Sequence, residues 1–550
     1  MSRIVVVGDV LLDVDVAGSV RRLSPEAPVP VVEDPTEHVR PGGAGLAAVL
    51  ATAAADVDVA LVTALCDDPA ARLLRGLLGA AGVELLDLGT TDRTAEKVRI
   101  RNGGHHIARL DRGVASSRSS GDLDGSRSKA LAPQAILVAD YGRGVTENPS
   151  VRRWLEWMVD ERVPVVWDPH VKGGHPVPGV RVATPNRYEA RALHDALSDR
   201  ESAYGHTLAP AGPERGDGIA ADTAAARRLM TAWSARSVAV TRGALGALLT
   251  EGDGPPLVIQ PCRTSQGDTC GAGDSFAIGV AQALAAGALA SEAVAWGVEA
   301  ASRYVAAGGP ASVSAPNPGA GGAVRLTETT GTGTGTGTGT EAPPAPGRVQ
   351  VRSPGRSGSP ADFRPNAPGP AFNSLASEPP PPARSLSAAT SAAVEQVRAV
   401  RRRGGTVVAT GGCFDVLHIG HLELLRNARS LGDLLVVLVN SDESVRRLKG
   451  AGRPLVNQGE RAALLAALDP VDAVVVFDED DPGAVLAKLE PDLFVKGGDY
   501  AGRRIPEADV LAAWGGSVVT VPYVSGRSTS ELVRMMSPEV TPEIPASDVR

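Results

Sequence analysis

Residues 267–276 read GDTCGAGDSF and run without a break into the small and apolar segment AIGVAQALAAG, residues 277–287. This pattern predicts a helix whose first turn presents the backbone amides of Gly271, Ala272 and Gly273. Such a helix end favours anions, because its amides point outward and the helix dipole is positive there. The stretch therefore predicts a phosphate site at a helix N-terminus.

Asp274 follows these three residues, where an acceptor hydroxyl would meet a bound phosphoryl group. A carboxylate at this position can take the hydroxyl proton as general base while a γ-phosphoryl group moves in line. Aspartate is also a favoured N-cap residue, so the residues alone leave a purely structural role as a helix cap open.

Apolar runs on both sides of this stretch alternate with segments rich in Ala and Leu. In the first half they are IVVVG (4–8), VALVTAL (59–65), AILVAD (135–140), VPVVWD (163–168) and SVAVTRG (237–243). In the second half they are TVVATGG (406–412), LLVVLVNSD (434–442), AVVVF (473–477) and LFVKGGD (493–499). This alternation predicts two α/β regions with buried parallel sheets, and ligand sites are expected at the carboxyl ends of their strands.

A stretch of 70 residues, 316–385, separates the two regions and contains 14 Pro and 12 Gly. A Pro and Gly content above roughly 25–30% is typical of low-complexity chain, which buries too little apolar surface to offset the entropy of ordering. We therefore predict a disordered linker at 316–385 between a domain at 1–315 and a second domain at 386–550.

Composition excludes several classes of protein. The 550 residues carry a net charge of −8, so no overall positive charge favours nucleic acid. The four cysteines form no CxxC or Cys/His pair, which argues against disulfides or zinc and fits a reducing compartment. The longest apolar stretch, 44–55, has 12 residues, whereas a membrane helix needs about 20. Without a signal-peptide pattern at the N-terminus, we expect a cytoplasmic enzyme that binds neither nucleic acid nor membrane.

Residues 411–425 read GGCFDVLHIGHLELL and follow the strand predicted at 406–410. His418 and His421 share one face of a helix predicted to begin near Ile419, and Gly420 lets a nucleotide approach the backbone. Imidazoles placed in this way can donate to phosphate oxygens that gain charge as pyrophosphate leaves. The alternatives are core histidines or a metal site, although catalytic zinc takes three protein ligands and no third is near in sequence.

The first half, residues 2–314, resembles the ribokinase-like sugar kinases, which implies a three-layer α/β fold. Four motifs carry the resemblance: GDVLLD (8–13), PGGAG (41–45), NRYE (186–189) and GDTCGAGD (267–274). The resemblance implies that Asp13, Gly42 and Gly43 hold the acceptor sugar. It also implies that the nucleotide is bound by Asn186, Glu189, Thr241, Gly243, Gly271, Ala272 and Gly273, with Glu189 near Mg²⁺.

Two positions depart from the pattern of these kinases. Leu46 stands where an Asn commonly bonds sugar hydroxyls, which puts the identity of the sugar in doubt. DPHVKGG (168–174) replaces a shorter DPK form, so Lys172 is expected to supply the cation one turn later.

The second half, residues 391–536, resembles the cytidylyltransferase-like nucleotidyltransferases, which implies a Rossmann-like fold. Enzymes of this kind let a phosphate attack the α-phosphorus of a nucleoside triphosphate without a covalent enzyme intermediate. The resemblance assigns the nucleotide to Gly412, Cys413, Phe414, Asp415, Gly420, Lys449, Arg461, Lys496, Ser528, Thr529 and Ser530. Lys449, Arg461 and Lys496 would neutralise the triphosphate, although each cation can equally be a solvated surface charge.

Together the halves resemble one family, the bifunctional heptose 7-phosphate kinase/heptose 1-phosphate adenylyltransferases. RRLSPEAPVPVV (21–32), NSDESVRRLKG (440–450) and PDLFVKGGDY (491–500) are similar to that family beyond the general motifs. The resemblance implies phosphorylation of D-glycero-β-D-manno-heptose 7-phosphate at C1 by ATP and Mg²⁺. It also implies adenylyl transfer from ATP to heptose 1-phosphate, giving ADP-heptose and pyrophosphate. A phosphatase must act between the two steps.

Two other functions stay open on the sequence alone. One is a kinase and nucleotidyltransferase pair for a different sugar phosphate, which Leu46 motivates. The other is a degenerate nucleotide-binding regulatory protein, against which the intact Asp274, His418 and His421 count. The residues do not decide the oligomeric state, so a homodimer is also open.

Overall fold

The computed structural model describes residues 2–54, 57–102, 105–113, 121–203, 218–262, 267–313, 386–498 and 505–522. The predicted linker at 316–385 and three predicted nucleotide-binding residues, Ser528, Thr529 and Ser530, lie outside these ranges. Among the helices within them, none combines the length and hydropathy needed to cross a membrane.

In the first half the strands are β1 (Ser2–Gly8), β2 (Val10–Leu23), β3 (Pro30–Gly43), β4 (Val57–Thr63), β5 (Glu84–Asp87), β6 (Ala95–Asn102), β7 (His105–Arg112), β8 (Ala135–Ala139), β9 (Val165–Asp168), β10 (Val182–Ala183), β11 (Ser237–Thr241), β12 (Ala247–Glu251) and β13 (Leu257–Ile259). The helices are α1 (Ala44–Ala51), α2 (Pro69–Ala80), α3 (Gly125–Leu131), α4 (Pro149–Asp160), α5 (Arg187–Ala203), α6 (Ile219–Ala232), α7 (Ala272–Ala285) and α8 (Ala290–Ala306).

In the second half the strands are β14 (Val407–Gly412), β15 (Leu434–Asn440), β16 (Ala473–Phe477), β17 (Leu493–Gly497) and β18 (Ser517–Val521). The helices are α9 (Leu386–Arg402), α10 (Ile419–Arg429), α11 (Asp442–Lys449), α12 (Gln458–Ala466), α13 (Gly483–Leu489) and α14 (Glu507–Ala512). The apolar runs predicted as strands form β1, β4, β8, β9, β11 and β14 to β17, so the predicted α/β class is confirmed.

The main sheet has the strand order β16-β15-β14-β17-β18-β13-β12-β11-β10-β9-β8-β1-β4-β5. Neighbouring strands are parallel except at β12, which runs antiparallel to both β11 and β13. The Val- and Leu-rich strands are buried because helices cover both faces of the sheet; in β15 all seven residues are buried. This arrangement brings the carboxyl ends of β8, β9, β11 and β14 to one edge, where ligand sites are expected.

A second sheet of four strands, in the order β3-β2-β6-β7, belongs to the first half. We call it the lid sheet. Its strands β2 and β3 form a long antiparallel hairpin, in which Asp13 lies opposite Arg40, and β6 pairs with β2 in parallel. Strand β3 ends at Gly43 and leads directly into α1, so the lid sheet ends beside the carboxyl edge of the main sheet.

The two halves share the main sheet through β13 and β18, which pair in parallel with Leu257 opposite Thr520. The Thr520 N–H donates to the Pro256 carbonyl at 2.9 Å. Nearby, the Ser430 hydroxyl at the end of α10 donates to Gln260 Oε1 at 2.6 Å. The apolar patterns alone do not predict this pairing, because the paired residues Leu257 and Thr520 are 263 positions apart in the sequence.

Two candidate active sites

Asp274 is 6% exposed in the first turn of α7. The N-cap of this helix is Gly271, with a φ of 85°, and no side chain caps it, so the alternative of Asp274 as a cap is not supported. The Ala272 N–H donates to the Thr269 carbonyl at 3.0 Å. The amides of Gly271 and Gly273 therefore remain the candidate donors to a phosphate at this helix end.

The Asp274 carboxylate accepts a hydrogen bond from the Tyr141 hydroxyl at 2.7 Å. Burial raises the pKa of Asp274 to about 7, with Asp13 adding to the rise, while Tyr141 and Lys97 act in the opposite direction. A general base is most effective with a pKa near the working pH, because it is then both deprotonated and basic. Asp274 therefore has a pKa suited to a general base that takes the proton of the sugar hydroxyl.

Tyr141 is a candidate functional residue that the sequence motifs do not reveal. It follows β8 in a turn that two buried carboxylates hold: Asp9 accepts from the amides of Tyr141 and Arg143, at 3.1 and 2.9 Å. Asp140 accepts from the Gly142 amide at 2.8 Å and the Thr146 hydroxyl at 2.9 Å. The available signal was Asp140-Tyr141-Gly142 directly after a buried parallel strand, where ligand-binding residues concentrate.

Asp13, Gly42 and Gly43 lie together at the junction of the lid sheet and α1. A Cβ at Gly43 would lie 2.6 Å from the Asp9 carbonyl oxygen and φ is 62° there, so this position requires glycine. A Cβ at Gly42 would lie 2.6 Å from Asp13 Oδ2, so a larger residue would displace the Asp13 side chain. Asp13 is 4% exposed and accepts from Arg99 at 2.6 Å. The predicted acceptor residues are thus adjacent, with Asp13 close enough to Asp274 to raise its pKa.

A cavity of about 550 Å³ lies against α7 and α8 and reaches Ala272 and Gly273, the residues just before Asp274. Its lining includes five residues predicted to bind the kinase nucleotide: Asn186, Thr241, Gly243, Ala272 and Gly273. Apolar side chains such as Phe276, Val298 and Val305 complete it. A mostly apolar cavity that ends at helix-terminal amides is suited to a nucleoside whose phosphates reach the start of α7.

Asn186 and Glu189 bind each other at the start of α5. The Asn186 N–H donates to Glu189 Oε2 and the Glu189 N–H donates to Asn186 Oδ1, both at 3.0 Å. This is a reciprocal capping arrangement, so the NRYE motif has a structural role besides the predicted nucleotide contact. Burial raises the pKa of Glu189, and Glu189 in turn helps to raise that of the buried Asp168.

Leu46 is 3% exposed in α1, within the apolar core. Its Cδ2 lies 2.6 Å from the position that a Cβ on Gly271 would take, so it packs against the backbone at the start of α7. The buried Leu46 side chain therefore packs against the helix N-terminus that is predicted to bind phosphate. The fold therefore accommodates leucine at position 46 by apolar packing, and the expectation that this departure changes the sugar stays a prediction.

We expect Leu46→Asn to lower the free energy of unfolding of the first half by about 1–3 kcal/mol, because it buries an amide without a partner. Leu46→Met, which keeps the volume, should cost less than about 1.5 kcal/mol. Denaturant unfolding of both variants measures the difference. A lower Michaelis constant for the sugar in Leu46→Asn, with unchanged stability, would instead place residue 46 at the acceptor.

The rings of His418 and His421 stack at the start of α10, with centroids 3.9 Å apart and planes 27° apart. His418 is the N-cap residue, and the His421 N–H donates to its carbonyl at 2.9 Å. The buried Phe414 ring packs on His421 at 5.1 Å between centroids. Phe414 has a φ of 47°, so this strained turn after β14 fixes the pair of imidazoles beside Gly412, where β14 ends.

Burial lowers the pKa of His421 to about 4, and the charges of His418 and Lys449 lower it further. His421 is therefore neutral at pH 7 and donates through one ring nitrogen. Lys449 is an exposed residue at the end of α11, and its charge reaches His421. His418, Gly420 and His421 therefore lie together at the start of α10, and their nucleotide contacts and that of Lys449 stay predictions.

Arg461 has a different position from the one predicted. Its side chain is 1% exposed and donates to the carbonyls of Cys413 and Asn440, at 2.5 and 2.8 Å, and to Asp442 at 2.7 Å. A guanidinium so enclosed has no free face for a triphosphate. Arg461 holds the ends of β14 and β15 together, because a buried charge requires full pairing.

Asp415 also serves the protein rather than a ligand. It forms an ion pair with Arg453 at 2.5 Å and accepts from the amides of Leu455 and Val456, at 2.6 and 3.2 Å. Although burial opposes the change, these bonds lower the pKa of Asp415. Its carboxylate therefore anchors the loop after α11 against the segment that leads into residues 418–421, whose sequence is HIGH.

Two other predicted residues have protein partners. Lys496 at the end of β17 forms an ion pair with Glu507 at 2.7 Å, so part of its charge is already compensated. The Cys413 thiol lies 3.7 Å from Asn440 Oδ1, and the Cys413 backbone carbonyl accepts from Arg461.

Among the described residues, no group of three or more His, Cys, Asp or Glu side chains is placed to hold a metal ion. The zinc alternative for the two histidines therefore has no support in this part of the chain.

Comparison with known proteins divides the chain at the same place as the fold. The pfkB family of carbohydrate kinases matches residues 1–318, and the cytidylyltransferase-like family matches residues 409–536. A bifunctional protein HldE of Streptomyces coelicolor is 41% identical over 530 residues, which cover 96% of each chain. This chain belongs to the HldE family.

HldE proteins of Citrifermentans bemidjiense and Caulobacter vibrioides are 33% and 31% identical to the chain. They cover 96% and 97% of it, and 95% and 96% of their own lengths. The ribokinase of Thermotoga maritima covers 56% of the chain and 93% of its own, with 19% identity and a TM-score of 0.40. As an HldE family member, the chain is a bifunctional enzyme with a sugar kinase half and a nucleotidyltransferase half.

Proposed function

We propose that the first half transfers the γ-phosphoryl group of ATP to the C1 hydroxyl of D-glycero-β-D-manno-heptose 7-phosphate. The second half then transfers an adenylyl group from ATP to heptose 1-phosphate, releasing pyrophosphate and giving ADP-heptose. The observation that supports both steps is that one chain of the HldE family holds a buried Asp274 at a helix N-terminus and the stacked pair His418 and His421.

In the kinase step, Asp274 removes the proton of the anomeric hydroxyl as that oxygen attacks the γ-phosphorus. The bond from phosphorus to the β-phosphate oxygen breaks, and ADP leaves through the cavity lined by Asn186 and Thr241. The amides at Gly271 and Gly273 are positioned to stabilise charge on the transferring group, which is the main catalytic contribution in phosphoryl transfer.

Magnesium usually keeps several waters and is bound by one or two carboxylates together with substrate phosphates. Two carboxylates are available for this mode. Glu189 is bonded to Asn186, which lines the nucleotide cavity, and after burial its charge is the main cause that raises the pKa of Asp168. Mg²⁺ held between Glu189 and ATP would neutralise charge on the phosphates. The protein residues would then orient the nucleotide, stabilise charge on the transferring group through the amides of Gly271 and Gly273, and move the proton.

The pH dependence of the kinase step tests the role of Tyr141. Because Asp274 must be deprotonated and its pKa is about 7, kcat/KM should fall as the pH decreases through that value. The Tyr141 hydroxyl lowers the pKa of Asp274, so Tyr141→Phe should move the acidic limb of the profile to higher pH. Steady-state rates between pH 5 and 9 measure the shift. If the acidic limb of the profile stays in place in Tyr141→Phe, Tyr141 does not influence the pKa of the general base.

In the adenylyl step, a phosphate oxygen of the sugar attacks the α-phosphorus of ATP and the bond to the β-phosphate breaks. The two imidazoles and the Lys449 ammonium would donate to the oxygens that gain charge, which requires no covalent intermediate. The backbone near Gly412 and Gly420 lies at the same strand end, where the nucleotide is expected.

Incubating the purified chain with ATP, Mg²⁺ and a panel of sugar phosphates, with product masses read by mass spectrometry, tests the proposal directly. We expect the 1,7-bisphosphate from heptose 7-phosphate and ADP-heptose from heptose 1-phosphate. Heptose 7-phosphate alone should give no ADP-heptose until a phosphatase is added. Stronger turnover of a six-carbon sugar phosphate than of heptose 7-phosphate would favour the alternative substrate class.

A further inference from the structure

A cavity of about 500 Å³ lies in the first half at the edge of the main sheet opposite the catalytic edge. Arg162, Arg181 and Arg236 line it, and none of the residues that line it is an aspartate or a glutamate. We call it the arginine cavity. Its volume is within the range of roughly 300–1,000 Å³ that is usual for small-molecule sites. The arginine cavity is therefore large enough for a ligand, and its lining carries only positive charge.

The order of the strands explains why the three arginines meet. Arg162 precedes β9, Arg181 precedes β10 and Arg236 precedes β11, and these strands are parallel neighbours in the main sheet. The Arg181 N–H donates to the Val165 carbonyl at 2.8 Å, and the Arg236 N–H donates to the Val180 carbonyl at 3.0 Å. Since neighbouring strands are about 4.8 Å apart, these bonds fix the backbones of Arg181 and Arg236 side by side.

Carboxylates outside the lining pair with these arginines only weakly. Arg181 has Glu251 at 4.0 Å, and their side chains are 31% and 21% exposed, so water and salt screen this pair.

Within the described ranges, neither Arg162 nor Arg236 forms an ion pair, and both are exposed. Asp160 and Glu161, at the end of α4, are exposed and do not line the cavity. In a chain whose net charge is −8, this local group of cations favours an anionic ligand.

Apolar side chains form another part of the lining and indicate which kind of anion fits. Val159 and Leu284 come from the last turns of α4 and α7, and Val163 and Pro164 from the turn that leads into β9. Inorganic phosphate would leave this apolar surface unused. Guanidinium groups bind phosphate oxygens in pairs and also stack on aromatic rings. Three arginines beside apolar side chains therefore suit two linked phosphates that carry a nucleoside.

The arginine cavity is separate from the kinase nucleotide cavity. Arg236 precedes the first residue of β11, whereas Thr241, the last residue of this five-residue strand, lines the nucleotide cavity. At about 3.3 Å per residue, the strand holds the two cavities roughly 17 Å apart. Helix α7 has 14 residues, so about 21 Å separates Ala272 in the nucleotide cavity from the other end of the helix, where Leu284 lines the arginine cavity. A ligand here cannot contact the transferring phosphoryl group.

We propose that the arginine cavity is a further binding site for a nucleoside diphosphate, in which Arg162, Arg181 and Arg236 bind the two phosphates and the apolar side chains contact the nucleoside. The inference goes beyond the proposed function, because neither proposed reaction uses this edge of the sheet. A free nucleotide such as ADP and the ADP part of a nucleotide sugar share the required chemistry, and the choice of probe distinguishes them.

Hydrogen–deuterium exchange of the full chain, measured by mass spectrometry with and without ADP, locates the site. ADP also reaches the catalytic sites, so the informative peptides cover residues 159–164 and 284–288, with residues 241–246 reporting on the kinase nucleotide cavity. We expect ADP to slow exchange in all three segments of the parent chain. In the double variant Arg162→Met/Arg236→Met, the protection of 159–164 and 284–288 should be lost and that of 241–246 should remain.

The ADP concentration that gives half-maximal protection of 159–164 measures the affinity. It should rise about tenfold or more in the double variant, since charge-assisted hydrogen bonds are strong. Arg153→Met is the matched control, because Arg153 is exposed on α4 and does not line the cavity. The Michaelis constants for ATP in both reactions should stay unchanged in every variant, which also shows that the variants fold.

Other probes decide which chemistry the cavity recognises. AMP and inorganic pyrophosphate should each protect 159–164 more weakly than ADP, because each lacks one part of the ligand. Stronger protection by ADP-heptose than by ADP would support the proposal and identify a nucleotide sugar as the ligand. Equal protection by pyrophosphate would overturn the nucleoside contact. The proposal fails outright if ADP leaves 159–164 unprotected in the parent, if the double variant keeps the protection, or if the protection depends on protein concentration and not on ADP, which would indicate a second copy on this face.

Discussion

Asp274→Asn reduces sugar phosphorylation by a factor of about 10²–10⁴, while adenylyl transfer by the same protein stays within about twofold of the parent. The asparagine keeps the shape of the side chain but cannot accept the proton of the anomeric hydroxyl. It also keeps an oxygen that can accept from Tyr141, which lies 2.7 Å from the carboxylate. The loss should therefore appear in kcat and not in the affinity for either substrate.

Asp67→Asn is a suitable control, because its side chain is 90% exposed before α2 and pairs only with a surface arginine. It should leave both activities unchanged. Coupled assays of ADP and pyrophosphate release measure the two reactions in one preparation. Retained kinase turnover in Asp274→Asn would leave Asp274 with a structural role only.

His418→Ala and His421→Ala each reduce adenylyl transfer by at least about a hundredfold, while sugar phosphorylation persists. Removing one donor aimed at developing charge costs roughly 2.7–4 kcal/mol in other enzymes, which corresponds to this loss. The rings stack 3.9 Å apart, so both would donate to the same phosphate charge. The double variant should therefore lose less than the sum of the two single losses.

A chelator distinguishes this role from a zinc site. Activity removed by chelation should return with Mg²⁺ alone, since phosphate-binding imidazoles need no zinc. His38→Ala, an exposed histidine of the lid sheet, is the matched control and should keep full adenylyl transfer. Full activity in either single variant, or recovery that requires zinc, would contradict the role assigned to the pair.

The parts of each site that were predictable are those encoded within a few consecutive residues. The start of α7 and the start of α10 both depend on glycines and on residues three positions apart, so GDTCGAGD and HIGH indicate their own local geometry. The strands were predictable for a similar reason, because a fully buried parallel strand is a continuous apolar run.

Features that depend on distant residues were not predictable. Arg461 has the residue type expected at a triphosphate, but the fold encloses it among the carbonyls of Cys413 and Asn440. Tyr141 acquires its role only because α7, more than 130 residues later, brings Asp274 to its hydroxyl. The lid sheet was missed because its strands carry many charged residues, such as Lys97 and Arg99, which obscure the apolar alternation of a strand.

The pairing of β13 with β18 also determines how the reaction intermediate travels. Five strand spacings separate β11, which ends at the kinase nucleotide cavity, from β14, which ends at the histidine pair. At roughly 4.8 Å per spacing, the two strand ends are about 24 Å apart. A twist of about 20–25° per strand turns their openings roughly 100° or more away from each other. We therefore expect the bisphosphate to leave the first site into bulk solvent, where a separate phosphatase has access to it before the second site binds the product.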